Sequence, residues 1–379
     1  MRPLAPTTYL VRNAGKTIPL IGVIVLAVLL VCGIISLINS IPLSIRVIYL
    51  YNKEFLGISP RGDPTQTLKI VEEIKKESPV PVERAIICRA TSNQVRSIVG
   101  KWPFVVIGLE QKDMDWYMKR QLSNGIQGRL PIPGSPEAVI SGPVAKNLNL
   151  KIGSVLLSPE SNESYSQKHV KVVGIADTDR WLMFTSVEYL RKYHFPPIDL
   201  AMILAKDVQQ QTKLDAWAER HFKGRRVQVW TYQQIEKNTR EMFATLYQIL
   251  NVVIGTLALV ITIMMGMLMN IYQSQRLVEF GLLQAIGYTK KQLLRRVLVE
   301  SVLVVIAGWM IGMVLGYGLL ILAQKLMMEP KSFALDPADP TAFAYTIPIP
   351  FAILVVAIAT VVLRFRSFDP VGIVERRLV

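Results

Sequence analysis

Few side chains in this 379-residue sequence could carry out chemistry, and none is spaced for it. Three histidines, His169, His194 and His221, stand well apart in the chain, without the short spacings that hold a metal ion. Two cysteines, Cys32 and Cys88, cannot build a disulfide framework, and Cys32 falls inside a long apolar run. The sequence has no G-x-x-x-x-G-K-S/T loop to cradle phosphates, no H-E-x-x-H zinc helix and no G-x-S-x-G nucleophile turn. The expectation is of a chain without catalytic, cofactor-binding or metal-binding residues, and so not an enzyme. The motif Arg61-Gly62-Asp63 reads as a turn into a helix rather than an adhesion signal. Asn162-Glu163-Ser164 matters as a glycosylation acceptor only in a cell that glycosylates exported chains.

The residues whose types and spacing do suggest a task lie in SQRLVEFGLLQAIGYTKKQLLRRVLVES, Ser274 to Ser301, which holds five basic and two acidic residues among many apolar ones. Gly287 suits the left-handed position that ends a helix. Thr289 followed by Gln292 matches a capping box that starts another. The spacing predicts a helix running to about Ile286, a turn, and a second helix from about Lys290. Phe280, Leu283 and Ile286 are expected to share a face of the first helix, and Leu293, Leu294, Val297 and Leu298 a face of the second. Two tasks fit such a hairpin. It could lie under lipid headgroups with its basic face toward anionic lipid. It could instead dock as a knob into a groove on a soluble partner. Stiff caps and continuity with two apolar helices would let it transmit force, which favours docking.

The elements around the hairpin follow from four stretches without a charged residue: Thr17–Ile45, Met242–Gln275, Ser301–Gln324 and Pro340–Leu363. A membrane-spanning helix needs about 20 mostly apolar residues, and each run is long enough. Pro348 and Pro350 make the fourth a kinked span, which neighbouring helices can accommodate. The first run is too long for a signal-peptide core and ends without a cleavage pattern, so a retained anchor is expected. The net charge of +15 is concentrated: the segment before the first run, the hairpin and the tail together carry twelve basic and four acidic residues. Short loops rich in Lys and Arg stay cytoplasmic, which puts both termini and the hairpin inside and residues 46–241 outside. That outer segment has 29 basic and 21 acidic residues, too mild an excess for a nucleic-acid partner.

The expected fold class is therefore an α+β membrane protein with four transmembrane helices. Its expected domains are 1–45, with the N-terminal segment and first span; 46–241, a large extracytoplasmic α+β domain; and 242–379, with three spans, the hairpin 274–301 and a cytoplasmic tail. Within the outer domain, Asp63 and Pro64 read as the start of a helix whose Leu68, Val71 and Ile74 share a face. FVVIGLE, EAVISG, GSVLLS, KVVGIA and LAMILAK read as strands. PVAKNLNL, SVEYLRKYH and DVQQQTKLDAWAERHF read as helices, and RLPIPGSPE and SPESNESYSQ as exposed loops.

VEFGLLQAIGYTKKQLLRRVLVES closely resembles the loop between the second and third spans of FtsX/MacB-type ABC transporter permeases. Glu279, Gly281, Leu282, Leu283, Ala285, Gly287, Thr289 and Gln292 fall on matching positions, whereas Val278 and Gln284 stand where the pattern has basic residues. YLVRNAGKTIPLIGVIVLAVLL resembles the family's entry into its first span. GRLPIPGSPEAVISGPVAKNLNLKIGSVLL and VKVVGIA resemble its MacB-like periplasmic core. SFDPVGIVERR resembles its C-terminal element, with Gly372 and Ile373 off the pattern. The resemblance implies the membrane subunit of a type VII ABC transporter, in the inner or plasma membrane. It implies a hairpin of Glu279, Phe280, Gly281, Leu283, Ile286, Gly287, Thr289 and Gln292 seated on a separate ABC ATPase, present in two copies and supplied with ATP and Mg. It also implies pairing with a second copy or a related permease, contact with membrane lipid, and room for a periplasmic adaptor. The expected activity is export or extraction of an amphipathic or hydrophobic substrate by mechanotransmission. The alternative is an FtsX-like signal transducer that regulates a cell-wall hydrolase.

Overall fold

The computed structural model describes residues 10, 12–63, 65–121, 123–193 and 198–366, without the side chains of 277 and 364–366. Pro64, His194, Arg2, the basic tail and the C-terminal SFDPVGIVERR element lie outside the described residues or side chains. In chain order the elements begin with α1 (Ala14–Ile48), a turn of 3-10 helix (Leu50–Glu54), β1 (Leu56–Pro60), α2 (Gln66–Glu77), β2 (Val82–Ser97) and β3 (Gly100–Leu109). Next come α3 (Gln111–Arg120), β4 (Ile126–Gly128), β5 (Glu137–Ser141), α4 (Gly142–Leu148), β6 (Val155–Leu157), β7 (Val170–Ala176) and β8 (Met183–Ser186). α5 (Val187–Tyr193), β9 (Leu200–Ala205), α6 (Val208–His221), β10 (Val227–Trp230) and the long α7 (Tyr232–Ser274) follow. The chain continues through α8 (Leu277–Ala285), α9 (Lys290–Ala323), α10 (Pro340–Ala344) and α11 (Pro348–Arg366).

Among the described residues, four helical segments are long and apolar enough to cross a membrane: Ala14–Ile48, Tyr232–Ser274, Lys290–Lys331 and Pro340–Leu363. The greater part of each belongs to a helical unit formed by Met1–Asn39, Thr245–Ala323 and Asp336–Val379. On α1, Leu20, Ile24, Ala27, Val28, Val31, Cys32 and Ile35 are buried; steps of three and four residues keep them on one stripe. Gly308 and Gly312 of α9 meet that stripe. A Cβ at Gly308 would sit 2.9 Å from Cβ of Ile24, and one at Gly312 would sit 2.8 Å from Cβ of Val28. Gly316, one turn further, faces Leu29 and Cys32. Small residues at four-residue spacing let helix backbones approach closely, the usual basis of helix association in lipid. The opposite faces expose Leu26, Leu30, Val314 and Leu319, as lipid-facing surfaces require.

The fourth apolar segment is broken rather than kinked. Non-helical residues Tyr345–Ile347 separate α10 from α11. Buried Thr346 holds the break: its hydroxyl donates to the Phe343 carbonyl at 2.7 Å and accepts from the Trp309 indole at 3.1 Å. Pro348 then opens α11, where a missing N–H costs nothing.

The second unit comprises Ser40–Ala244 and Gln324–Leu335, so the stretch after α9 joins the α+β domain. The Lys331 carbonyl accepts from Asn147 at 2.8 Å, and the Ala334 N–H donates to Ser44 at 3.1 Å. The sheet has ten strands in the order β10-β1-β9-β2-β3-β8-β5-β7-β4, with β6 on β7. Among the described strand pairs, only β3–β8 and β5–β7 run parallel. Sixteen-residue β2 holds the sheet together: residues 82–88 pair with β9 and residues 89–97 with β3. Along β9, Ala201, Ile203 and Ala205 pack with α2 and α6, while Met202 and Leu204 join the larger core built on α3, α4 and α5. That alternation is the period-two signature of a strand buried on both faces. β1, β2, β4, β8, β10 and α3 were not expected from the sequence. β1 carries Gly57 and Pro60, and β2 interleaves charged and apolar residues in a way that hides its length. The helix expected from Asp63 begins at Gln66; the Asp63 carboxylate accepts from the Thr65 N–H at 2.9 Å in a turn just before it.

Asp215 of α6 is buried, and desolvation pushes its carboxyl up to about 7, against the hydrogen bond it accepts from Gln211 at 2.8 Å. The folded chain therefore keeps a proton that the unfolded chain releases near pH 4. Stability is unpenalised below about pH 4, declines as pH rises to about 7, and is constant above it. The full penalty is up to about 4 kcal/mol. Asp215→Asn is expected to raise the unfolding temperature of the full chain at pH 8 and leave it nearly unchanged at pH 4. Equal shifts at both values would assign the effect to packing instead.

Candidate functional site

The sequence predicts one helix from the second apolar run to Ile286, but α7 stops at Ser274 and the chain leaves helical geometry at Gln275–Arg276. At this break the Arg276 side chain is turned inward, only 2% exposed. Its Nη1 donates to Glu300 Oε2 at 2.5 Å, and its Nε to Glu279 Oε2 at 3.3 Å. The guanidinium also lies 5.4 Å from the Tyr272 ring centroid and 5.0 Å from that of Phe280. Arg296 completes the network: Nε donates to Glu300 Oε1 at 3.0 Å, and Nη2 lies 3.9 Å from Glu279. Two cations and two anions thus alternate between the end of α7, α8 and the start of α9. Buried charges are tolerated only when paired in this way.

Beyond the network, both ends of the turn are capped. Gly287 has φ of +104°, which a side-chain-bearing residue rarely adopts. The Tyr288 N–H donates to the Leu283 carbonyl at 3.1 Å and the Gly287 N–H to that of Gln284 at 2.9 Å, a Schellman ending. Thr289 and Gln292 make the reciprocal capping box: the Thr289 N–H donates to Gln292 Oε1 at 3.0 Å, and the Gln292 N–H to Thr289 Oγ1 at 3.3 Å. Leu283 and Tyr288 then pack with Phe280, Leu293, Val297 and Val361.

The eight hairpin residues singled out in the sequence divide into two groups. Phe280 and Gly281 are buried, and Glu279 and Leu283 are partly buried in the framework. Ile286, Gly287, Thr289 and Gln292 are exposed around the turn. The expected common face of Phe280, Leu283 and Ile286 does not form, because six residues carry a helix about 240° around its axis. Ile286, 77% exposed, instead shares the outer side with Leu282, 58% exposed, and Val278. The sequence reading missed Arg276, Arg296 and Glu300. The i,i+3 spacing of Arg276 with Glu279 and the i,i+4 spacing of Arg296 with Glu300 were the available signal.

Tertiary structure brings His221 beside Glu73 and Glu77, a grouping invisible in the chain's spacing. His221 Nε2 lies 2.6 Å from Glu73, and Arg225 forks onto both oxygens of the same carboxylate. Arg225 foremost holds that carboxyl down at about 2. The Glu73–Arg225 ion pair joins α2 to the turn just after α6. Cys32 and Cys88 are both buried free thiols.

The described chain thus has four apolar helical segments, an α+β unit between the first and second in chain order, and a doubly capped hairpin between the second and third. Residues 251–370, which contain the hairpin and the glycines of α9, match the model of the FtsX-like permease C-terminal domain. That match covers the C-terminal third of the chain and identifies residues 251–370 as similar to the FtsX-like permease C-terminal domain. Among curated proteins none matches it. Solved structures similar to it include the periplasmic region of MacB from Actinobacillus actinomycetemcomitans, at 11% identity and a TM-score of 0.28, covering 49% of this chain and 92% of that one. The extracellular domain of the noncanonic ABC-type transporter YknZ from Gram-positive bacteria is similar at 14% identity and a TM-score of 0.28, covering 47% and 99%. A domain of a putative permease protein from Porphyromonas gingivalis is similar at 14% identity and a TM-score of 0.23, covering 46% and 86%.

Proposed function

We propose that this chain is the membrane subunit of an ABC transporter and that the hairpin tip, Leu282 and Ile286 around Gly287, docks on a separate ATPase subunit that binds ATP and Mg. The observation that carries this reading is the division of the hairpin: apolar side chains point outward at the tip of an element capped on both sides and held by a buried ion network. An element built this way moves as a lever and does not flatten onto lipid. Lys290 and Lys291 support the reading, since positive charge at the start of α9 opposes the helix dipole and is offset by an acidic partner surface. Two ATPase copies and a second permease, identical or related, would close on one another during hydrolysis. With the hairpin and both termini cytoplasmic, closure would be carried by α7 and α1 into the α+β unit outside. The unit would then push or extract an amphipathic or hydrophobic substrate, with or without a periplasmic adaptor.

The test begins with the ABC ATPase that co-purifies with the full chain from native membranes. Leu282→Arg and Ile286→Arg are each expected to weaken the complex about tenfold, or about 1.4 kcal/mol. Stimulation of ATP hydrolysis should fall in parallel, while the unfolding temperature stays near wild type. A wild-type chain that recruits no ATPase and changes no hydrolysis rate defeats the proposal.

A further inference from the structure

The α+β unit contains a cavity of about 500 Å³ between its sheet, the turn at Leu50–Glu54 and the first three turns of α7. Volumes of about 300–1,000 Å³ are typical of small-ligand sites. None of the residues lining it is charged, although the chain carries 71 Lys, Arg, Asp and Glu in all. Tyr51, Phe55, Cys88 and Met202, all buried, supply apolar wall. Trp230 and Met242, 42% and 53% exposed, mark its open side together with exposed Asn238. The Trp102 indole N–H is buried in the lining and faces the Tyr49 hydroxyl, which donates to the Pro103 carbonyl at 2.6 Å. Such a lining rejects nucleotides, metal ions and charged peptides, whose desolvation nothing would repay.

We infer that this cavity holds a single hydrocarbon chain, its tail against Tyr51, Phe55 and Met202 and its polar end toward Asn238. Continuity of the chain argues for this occupant. The wall formed by Ile235, Thr239 and Met242 belongs to α7, which runs without interruption into the second apolar run. The opposite wall at Tyr49 and Tyr51 directly follows α1. The uncharged cavity is thus built on segments continuous in the chain with two helices long and apolar enough to cross a membrane. The inference deepens the transporter reading by naming the part of the substrate that is held. Its test reads binding alone, so failure of the cavity and failure of ATPase coupling are separate results.

The test uses the full chain in nanodiscs of phosphatidylcholine with palmitate carrying a photoactivatable diazirine, and maps the adducts by peptide mass spectrometry. Adducts are expected on residues 49–58, 200–202 and 230–242, saturating with palmitate concentration. Ala90→Phe fills the cavity from the sheet and Thr239→Phe from α7; each is expected to reduce these adducts about tenfold. Adducts confined to the apolar runs of the wild-type chain would overturn the inference whether or not the variants fold. So would unchanged cavity adducts in both variants at wild-type unfolding temperature. Competition separates the sources. Displacement by unlabelled phospholipid identifies a bilayer lipid, displacement by a lipidated peptide alone identifies cargo, and displacement by neither marks the labelling as non-specific and overturns the site.

Discussion

Glu300→Ala is expected to destabilise the chain by about 3–5 kcal/mol, because it leaves buried cations without the carboxylate they share. Glu300 holds Arg276 at 2.5 Å through one oxygen and Arg296 at 3.0 Å through the other, and both arginine side chains are under 10% exposed. Arg276→Ala should cost less, since Glu300 keeps Arg296. Glu300→Gln should fall between wild type and alanine, keeping hydrogen bonds but losing the charge. Unfolding of the purified chain in detergent gives the order, and Arg276→Ala with Glu300→Ala should cost less than the two single changes summed. An additive pair would mean that the ion pair is not coupled. The functional consequence follows from position. The network joins the end of α7 to α8 and α9, so its loss should uncouple the hairpin from the helices it turns. If the hairpin docks on an ATPase as proposed, ATPase stimulation should then fall further than ATPase binding. Equal loss of both would place the effect in simple unfolding of the hairpin.

Gly312→Leu is expected to disrupt the contact between α1 and α9. The new Cβ would begin 2.8 Å from that of Val28, beside backbone that cannot yield, and the rest of the side chain would have no space. Overpacking of this kind costs about 1–3 kcal/mol where a core can shift, and helices that rely on close approach in lipid have no hydrophobic drive to restore the contact. Gly318→Leu is the control on the same helix, because nothing lies within 4 Å of a Cβ there. Expression, detergent stability and disulfide crosslinking between cysteines placed on α1 and α9 would report the separation. Equal tolerance of leucine at 312 and 318 would remove the seam from the account of the fold.

Both predictions depend on residues that were readable in the chain but not in the right role. Gly308, Gly312 and Gly316 sit four apart in plain view, yet glycines in apolar helices are common, and only the packing shows that all three face α1. The hairpin's caps were legible because they are local: Gly287 and the Thr289–Gln292 box satisfy backbone groups a few residues away. The apolar faces were legible only in part. Phe280 and Leu283 turn inward as a pair, but Ile286 belongs to the other side because helical rotation accumulates. The large α+β unit was seen through its strands with strong apolar runs, whereas β1, β2 and β10 escaped because their burial comes from partners distant in the sequence.

By itself the sequence determined the four apolar segments, the unit between the first two, and a capped turn between the second and third. Each rests on composition or on contacts within a few residues, and those are written directly in the chain. Tertiary structure decided what faces what. It buried Arg276 against Glu300, turned Leu282 and Ile286 outward, drew Gln324–Leu335 into the α+β unit and left an uncharged cavity beside α7. These depend on pairings between segments remote in sequence, in one case across nearly three hundred residues from Ser44 to Ala334. No local pattern records such a pairing, because its energy appears only when both partners have lost their water together.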